Sequence, residues 1–185
     1  VYDNHGNQYI DGMASLWYCA VGHGRSDMAE AIARQAGTLA AYSTFDPFTN
    51  EPAEELAEKL VTIGPIPKSR IFFTSSGSES VDTAMKLARL AHVQAGHPER
   101  TLIISRQRGY HGTTYGGTSA QGIPPNREGY GPLVGDVEQV AADDIEAMAT
   151  LMAQRGNTVA AVLVEPLQGA GGVFPPQEGY LESLR

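Results

Sequence analysis

Apolar residues along this chain follow two alternating rhythms. In SVDTAMKLARLA, Val81, Ala84, Ala88 and Ala91 recur at steps of three and four, the spacing of one helix face. Just before it, Ile71, Phe72 and Phe73 read as the end of a buried strand. Between the two, Ser76 and Glu79 have capping-box spacing, which starts the helix at Ser76. SDMAEAIARQAG reads as a helix capped by Ser26, with Ala29, Ile32, Ala33 and Ala36 on one face and Gly37 closing it. NEPAEELAEKLV reads as another, with Ala53, Leu56, Ala57 and Leu60 inward and Pro52 near its start. ADDIEAMATLMAQRG gives a further helix from about Asp143 to Arg155. TLIIS and VAAVLVE are short apolar runs with the character of buried strands, and VYDNHGNQYID alternates about Gly6 as a hairpin. The stretch from Gly109 to Gly135 is too rich in glycine and loop formers to place.

Short apolar strands alternating with helices predict an α/β chain with a parallel sheet. Ligands of such sheets collect at the carboxyl ends of the strands. Three segments should meet there: SSGSES after the first strand, SRQRGYHG after the second and EPLQGAGG after the third. The first of these opens a helix, whose unpaired N–H groups and positive dipole end suit an anion. Gly77 would let that backbone approach a ligand closely. A well-capped helix holding nothing is the plainer alternative at this point.

With 185 residues the chain can bury one sizeable core, and its 42% hydrophobic and 18% charged content is that of a globular protein. The net charge of −8, with no basic run, argues against nucleic acid or an anionic membrane as a partner. A single cysteine, Cys19, excludes an intrachain disulfide and a multi-cysteine zinc site, and fits a cytoplasmic setting. No apolar stretch approaches the ~20 residues that span a bilayer. The five histidines never pair at metal-ligand spacing, so no metal is expected. The chain begins with Val1, so an internal piece of a longer protein is expected.

Several phosphate and nucleophile motifs are missing. There is no Gly-x-x-x-x-Gly-Lys-Ser/Thr, no Gly-x-Gly-x-x-Gly opening a helix after a strand, and no Gly-x-Ser-x-Gly elbow. What remains is a compact phosphate held by backbone and hydroxyls, in a sheet that also offers an aromatic ring and a buried carboxylate.

FTSSGSESVDTAMKLAR, YHGTT and VAAVLVEPLQGAGGVFPPQEGYL, in that order, resemble the class III, or omega-, aminotransferases that depend on pyridoxal 5'-phosphate. YDNHGNQYIDGMASLWYCAVGHG resembles the opening of their main segment, so the resemblance covers essentially the whole chain. It implies the fold type I architecture, with residues 1–40 belonging to a small domain and 41–185 to a partial cofactor-binding large domain. It implies amino-group transfer from a primary amine or omega-amino acid to a keto acid such as pyruvate. An aminomutase or a decarboxylase on the same scaffold is the nearest alternative, and a non-catalytic phosphate-ligand domain is the rival of a different class. Ser76, Gly77 and Ser78 match the positions that grip the cofactor phosphate, and Tyr110 the aromatic residue that stacks on its ring. His111 and Gly112 complete that motif. His111 stands equally well as a contact to the site or as a structural histidine. Glu165 matches a glutamate beside the ring's hydroxyl edge, with a solvent-facing strand end as its alternative, and Gly169–Gly172 would keep backbone close to the cofactor. Trp17 matches a residue lining the substrate entrance, or else is a core tryptophan between hairpin and helix. The segment AAYSTFDPFTNEP matches a region that contributes to a homodimer interface.

The chemistry of this family also needs a Schiff-base lysine, and the chain has three. Lys59 follows Glu55 by four residues and Lys86 follows Asp82 by four, both the spacing of exposed helix ion pairs. Lys68 lies in a proline-bounded connection, at the wrong end of the sheet. The expectation is therefore that no catalytic residue lies in this chain. The lysine, and the aspartate that pairs with the pyridine nitrogen, are expected beyond Arg185.

Overall fold

Leu102–Arg106 forms β1, and every one of its five residues is buried. The computed structural model describes residues 1–185. β1 is the centre of a three-stranded sheet, flanked by β2 (Val137–Val140) and β3 (Val159–Val162). Both pairings are parallel, as the alternation of strands and helices predicts, with Ile103 opposite Val137 on one side and Ala161 on the other. Strand alternation then sends successive side chains to opposite faces. Leu102 and Ile104 join Val140, Met148 and Val159 on one face. Ile103 joins Met85 and Ala120 on the other.

Helices cover both faces. α3 (Gly77–Gln94) and the short α4 (Tyr115–Ala120) supply Met85 and Ala120 to the Ile103 side. α5 (Ile145–Arg155) and α6 (Tyr180–Leu184) supply Met148 and Leu184 to the other. Arg89 of α3 ties helix to sheet, donating to the carbonyls of Thr101 at 2.8 Å and Gly135 at 2.9 Å. α5 begins two residues later than expected, because the Asp144 side chain caps it by accepting from Ala147 N–H at 2.8 Å.

Three expectations in this region need correction. Phe72 and Phe73 do not end a buried strand: residues 71–74 pair with no neighbour, and the two rings are 71% and 45% exposed. Without a partner strand, β propensity alone buries nothing. The inward stripe of α3 is Met85, which is buried, with Val81 and Ala88 partly buried, whereas Ala84 and Ala91 are exposed. Lys86 does not pair with Asp82, whose carboxylate turns to α4 instead.

These elements lie in a compact unit, Phe72–Arg185; Val1–Ile71 forms another. Within the latter, the hairpin forms about Gly6, with Tyr2 bridging Gln8. α1 (Ser26–Thr38) starts without a side-chain cap: Ser26 is its first helical residue and Gly37 lies inside it. α2 (Glu51–Ile63) is capped by Asn50, which accepts from Ala53 N–H at 3.1 Å. Leu56, expected inward, is exposed, and no residue of this unit is buried. No helix of the chain is long and apolar enough to cross a membrane.

Candidate functional site

Ser76 caps α3 as its spacing predicts, its Oγ accepting from Glu79 N–H at 3.1 Å. Glu79 reaches back to Ser75 N–H at 2.8 Å. The amides of Gly77 and Ser78, in the first turn, have no acceptor within the helix. Nothing lies within 4 Å of where a Cβ would stand on Gly77, so no packing in this chain demands glycine there. This helix end presents two free donors to open space, at the positive end of a helix of 18 residues.

The loop after β1 is fastened to that helix end. Ser78 Oγ accepts from Thr113 N–H at 2.9 Å, and Thr114 Oγ1 donates to the Ser78 carbonyl at 3.2 Å. Because its oxygen accepts there, the Ser78 hydroxyl keeps its own proton to donate, to Thr113 Oγ1 at 3.3 Å or to an anion. Gly112 makes this approach possible: its φ is +99°, and a Cβ would come within 2.8 Å of Ser78 Cα.

Glu165 fastens the third loop. Its Oε1 accepts from Tyr110 N–H at 2.7 Å and its Oε2 from Gly169 N–H at 3.2 Å. It is half-buried, and each of its carboxylate oxygens accepts a backbone hydrogen bond. Beneath it Arg106, fully buried, donates to the Glu165 carbonyl at 2.5 Å and to Ala142 at 3.1 Å, with its guanidinium 5.1 Å over the Tyr180 ring. Sequence reasoning missed Arg106, since nothing in SRQRGYHG distinguishes its two arginines. Arg108 instead reaches Asp143 at 2.5 Å.

His111 is buried, and its Nε2 has no hydrogen-bond partner. Burial pushes its pKa down from the ordinary value; Glu165 opposes that shift and Arg106 adds to it. His111 is therefore a neutral ring at pH 7. Tyr110 is 37% exposed and lines a cavity of about 430 Å³ together with Thr113, Tyr115, Gln121 and Tyr130. No charged residue lines that cavity. Ser76–Ser78, Tyr110–Gly112, Glu165 and Gly169 thus converge within one unit; the Tyr110–Gly112 and Glu165–Gly169 segments follow β1 and β3, whereas Ser76–Ser78 follows no strand.

Trp17 belongs to the Val1–Ile71 unit and is 72% exposed, so it is not a core tryptophan there. Lys59 and Lys68 belong to the same unit and are exposed, and Lys59 makes no ion pair with Glu55. Lys86, also exposed, lies eight residues along α3 from Ser78, about 12 Å at 1.5 Å per residue.

The family model for aminotransferase class-III matches residues 1–185. A beta-alanine–pyruvate aminotransferase of Pseudomonas aeruginosa is 39% identical over 202 residues, covering 99% of this chain and 45% of that protein. A transaminase structure from the marine bacterium Virgibacillus superposes with a TM-score of 0.94 at 41% identity, covering 100% of this chain and 43% of that one. A PLP-bound amine transaminase from an uncultivated Pseudomonas species gives 0.93 at 33% identity, covering 100% and 46%. The chain spans less than half the length of the proteins it matches.

Proposed function

The chain belongs to the class-III aminotransferases, with their fold type I α/β architecture, and we propose on that footing that it holds pyridoxal 5'-phosphate for amino-group transfer. The observation that carries this reading is the free helix end at Gly77 and Ser78, locked by hydrogen bonds to the Tyr110–His111–Gly112 loop. The donor set fits the group. Two amides and the Ser78 hydroxyl face the phosphate, with Ser76 keeping the helix end in shape. Tyr110 offers a flat aromatic surface to the ring. His111 flanks the ring as a neutral group. Glu165 shapes the ring's polar edge by holding both loops, and Gly169–Gly172 keep backbone close to it.

Bound there, the cofactor supplies the electron sink for moving an amino group. The substrates are a primary amine or omega-amino acid and a keto acid such as pyruvate. The transaminases named above favour transfer over an aminomutase or decarboxylase reading. An amine would reach the cavity beside Tyr110, whose uncharged lining suits the apolar part of such a substrate. Trp17 keeps the substrate role only through its match to the family's motif. The catalytic lysine and the aspartate for the ring nitrogen lie outside these residues, since Lys86 stands too far from the helix end and is solvated. The full-length protein is a cytoplasmic homodimer in which residues 1–40 belong to the small domain and 41–185 to the large one.

The test is a cofactor titration of the full-length protein. Gly77→Val should leave the fold intact, because a side chain there meets nothing in this chain. It should weaken pyridoxal phosphate binding at least about tenfold by filling the space the phosphate needs. Unchanged affinity would remove Gly77 from the site.

A further inference from the structure

One helical turn beyond Ser78, a second side chain of α3 reaches the same segment. Asp82 Oδ1 accepts from Gly117 N–H at 2.9 Å, and its Oδ2 lies 3.4 Å from Gly116 N–H. Both amides belong to the first turn of α4, where the helix offers them no acceptor. The residue at the head of α4, Thr114, makes no side-chain cap of its own. The backbone is trimmed to admit Asp82: a Cβ on Gly116 would stand 2.6 Å from its Oδ1. On the other side, a Cβ on Gly117 would stand 2.1 Å from the His111 carbonyl oxygen. The start of α4 is therefore wedged between the carboxylate of Asp82 and the backbone of His111. Tyr115 and Thr118 of α4 then form part of the cavity wall that Tyr110 completes.

We propose that Asp82 is a positioning residue. Together with Ser78 it locks the segment from Gly112 to Gly117 onto α3, and so fixes where Tyr110 and His111 stand relative to the free amides of Gly77 and Ser78. A carboxylate is suited to this because its bonds to backbone N–H are charge-assisted and its charge complements a helix start. Asp82 does not face the cavity; its influence passes through Gly116 and Gly117. The functional half of this inference rests on the cofactor reading above, while the clamp itself stands on the geometry alone.

The experiment uses the full-length protein with Asp82→Ala, Asp82→Asn, Gly116→Ala and the Asp82→Ala/Gly116→Ala pair. Amide hydrogen exchange at Gly116 and Gly117 is measured without cofactor, and pyridoxal phosphate affinity and absorbance are measured by titration. Asp82→Ala should speed exchange at both glycines and weaken cofactor binding, each by about tenfold, the scale of a lost charged hydrogen bond. It should also shift the cofactor absorbance. Asp82→Asn, which keeps one acceptor oxygen, should fall between. Gly116→Ala should be harmful alone but add little in the Asp82→Ala background, where the oxygen it strikes is gone. Such non-additivity separates a direct clamp from general destabilisation. Unchanged exchange at the two glycines would overturn the clamp, read in Asp82→Asn if the Ala variant does not fold. Additive effects of the pair would overturn it too. Faster exchange with unchanged cofactor affinity would overturn the positioning role. Failure of the unaltered protein to bind pyridoxal phosphate would instead sink the cofactor reading, and the exchange data would still judge the clamp.

Discussion

The two units of this chain use the same local signals and reach opposite ends. Val1–Ile71 contains a hairpin, a helix with an Asn cap and a second helix with apolar residues at helical spacing. Yet none of its residues is buried. Phe72–Arg185 has comparable caps and spacing, and buries Leu102, Ile103 and Ile104 completely between two helical layers. Local grammar shapes an element; only a facing surface gives its apolar side a place to go. The parallel sheet supplies that surface on both sides in the second unit, and the first unit has no counterpart to it.

The largest expected difference lies in matched apolar truncations. Ile104→Ala removes a fully buried side chain between β1 and α5, and should cost about 2–5 kcal/mol. Ile32→Ala removes one that is 67% exposed on α1, and should stay within about 0.5 kcal/mol in the 185-residue chain. Denaturant unfolding of each variant reads the contrast. Equal costs would break the comparison. A larger cost for Ile32→Ala in the full-length protein than in this chain would sharpen it, by showing that the α1 face gains a cover there.

Two glycines that both have positive φ supply a finer contrast. Gly6 has φ +81° with nothing near its Cβ position, whereas Gly112 has φ +99° with Ser78 against it. Gly6→Ala should therefore cost only the conformational strain, about 1 kcal/mol. Gly112→Ala should cost about 1–3 kcal/mol through the same strain, with the collision against Ser78 raising it above Gly6→Ala. Thermal unfolding of both variants decides it. If Gly112→Ala proved the milder of the two, the tight apposition of α3 and the loop after β1 would be wrong.

The same contrast explains which parts of the structure were legible in the sequence. The α3 cap at Ser76, the central strand β1 and the loops that follow β1 and β3 were legible from local chemistry and the logic of parallel sheets, whereas the strand expected before Ser76 does not form. β2 escaped notice because Val-Glu-Gln-Val is no apolar run; it is an edge strand paired on one side only. α4 escaped because Tyr-Gly-Gly-Thr-Ser-Ala has poor helix propensity, and its start is held by Asp82 and His111 from elsewhere in the fold. Asp82 itself stands four residues from both Ser78 and Lys86. The helix-surface reading paired it with Lys86, but its carboxylate accepts from the Gly116 and Gly117 amides, more than thirty residues along the chain. Phe72 and Phe73 misled in the other direction, since strand-like residues need a neighbouring strand. Of the candidate site, the positions were legible. The mutual fastening of Ser78, Thr113, Tyr110 and Glu165 was not, because it joins residues up to 55 apart.

The smallest expected effect is a difference in the pH at which each unit weakens. In the first unit, Asp11 is held down to about 2, mainly by the hydrogen bond from His23 and next by the Ser15 amide. Its folded value lies below the unfolded one, so its contribution is complete above the unfolded value of 3.8 and is lost as pH falls through about 2. In the second unit, burial lowers the His111 pKa from 6.5. The unfolded chain then binds the proton more readily than the folded one, so stability is full above 6.5 and erodes as the pH falls from there toward the lowered value. Acidification from pH 7 to pH 5 should therefore loosen the amides around His111 while those around Asp11 and Ser15 stay unchanged. Residue-resolved hydrogen exchange across that range, corrected for the intrinsic pH dependence of exchange, would show it. His111→Gln, which cannot take up a proton in this range, should abolish the effect in the second unit. Loosening around Asp11 before His111 would reverse the assignment, and place the more acid-sensitive group in the unit without a core.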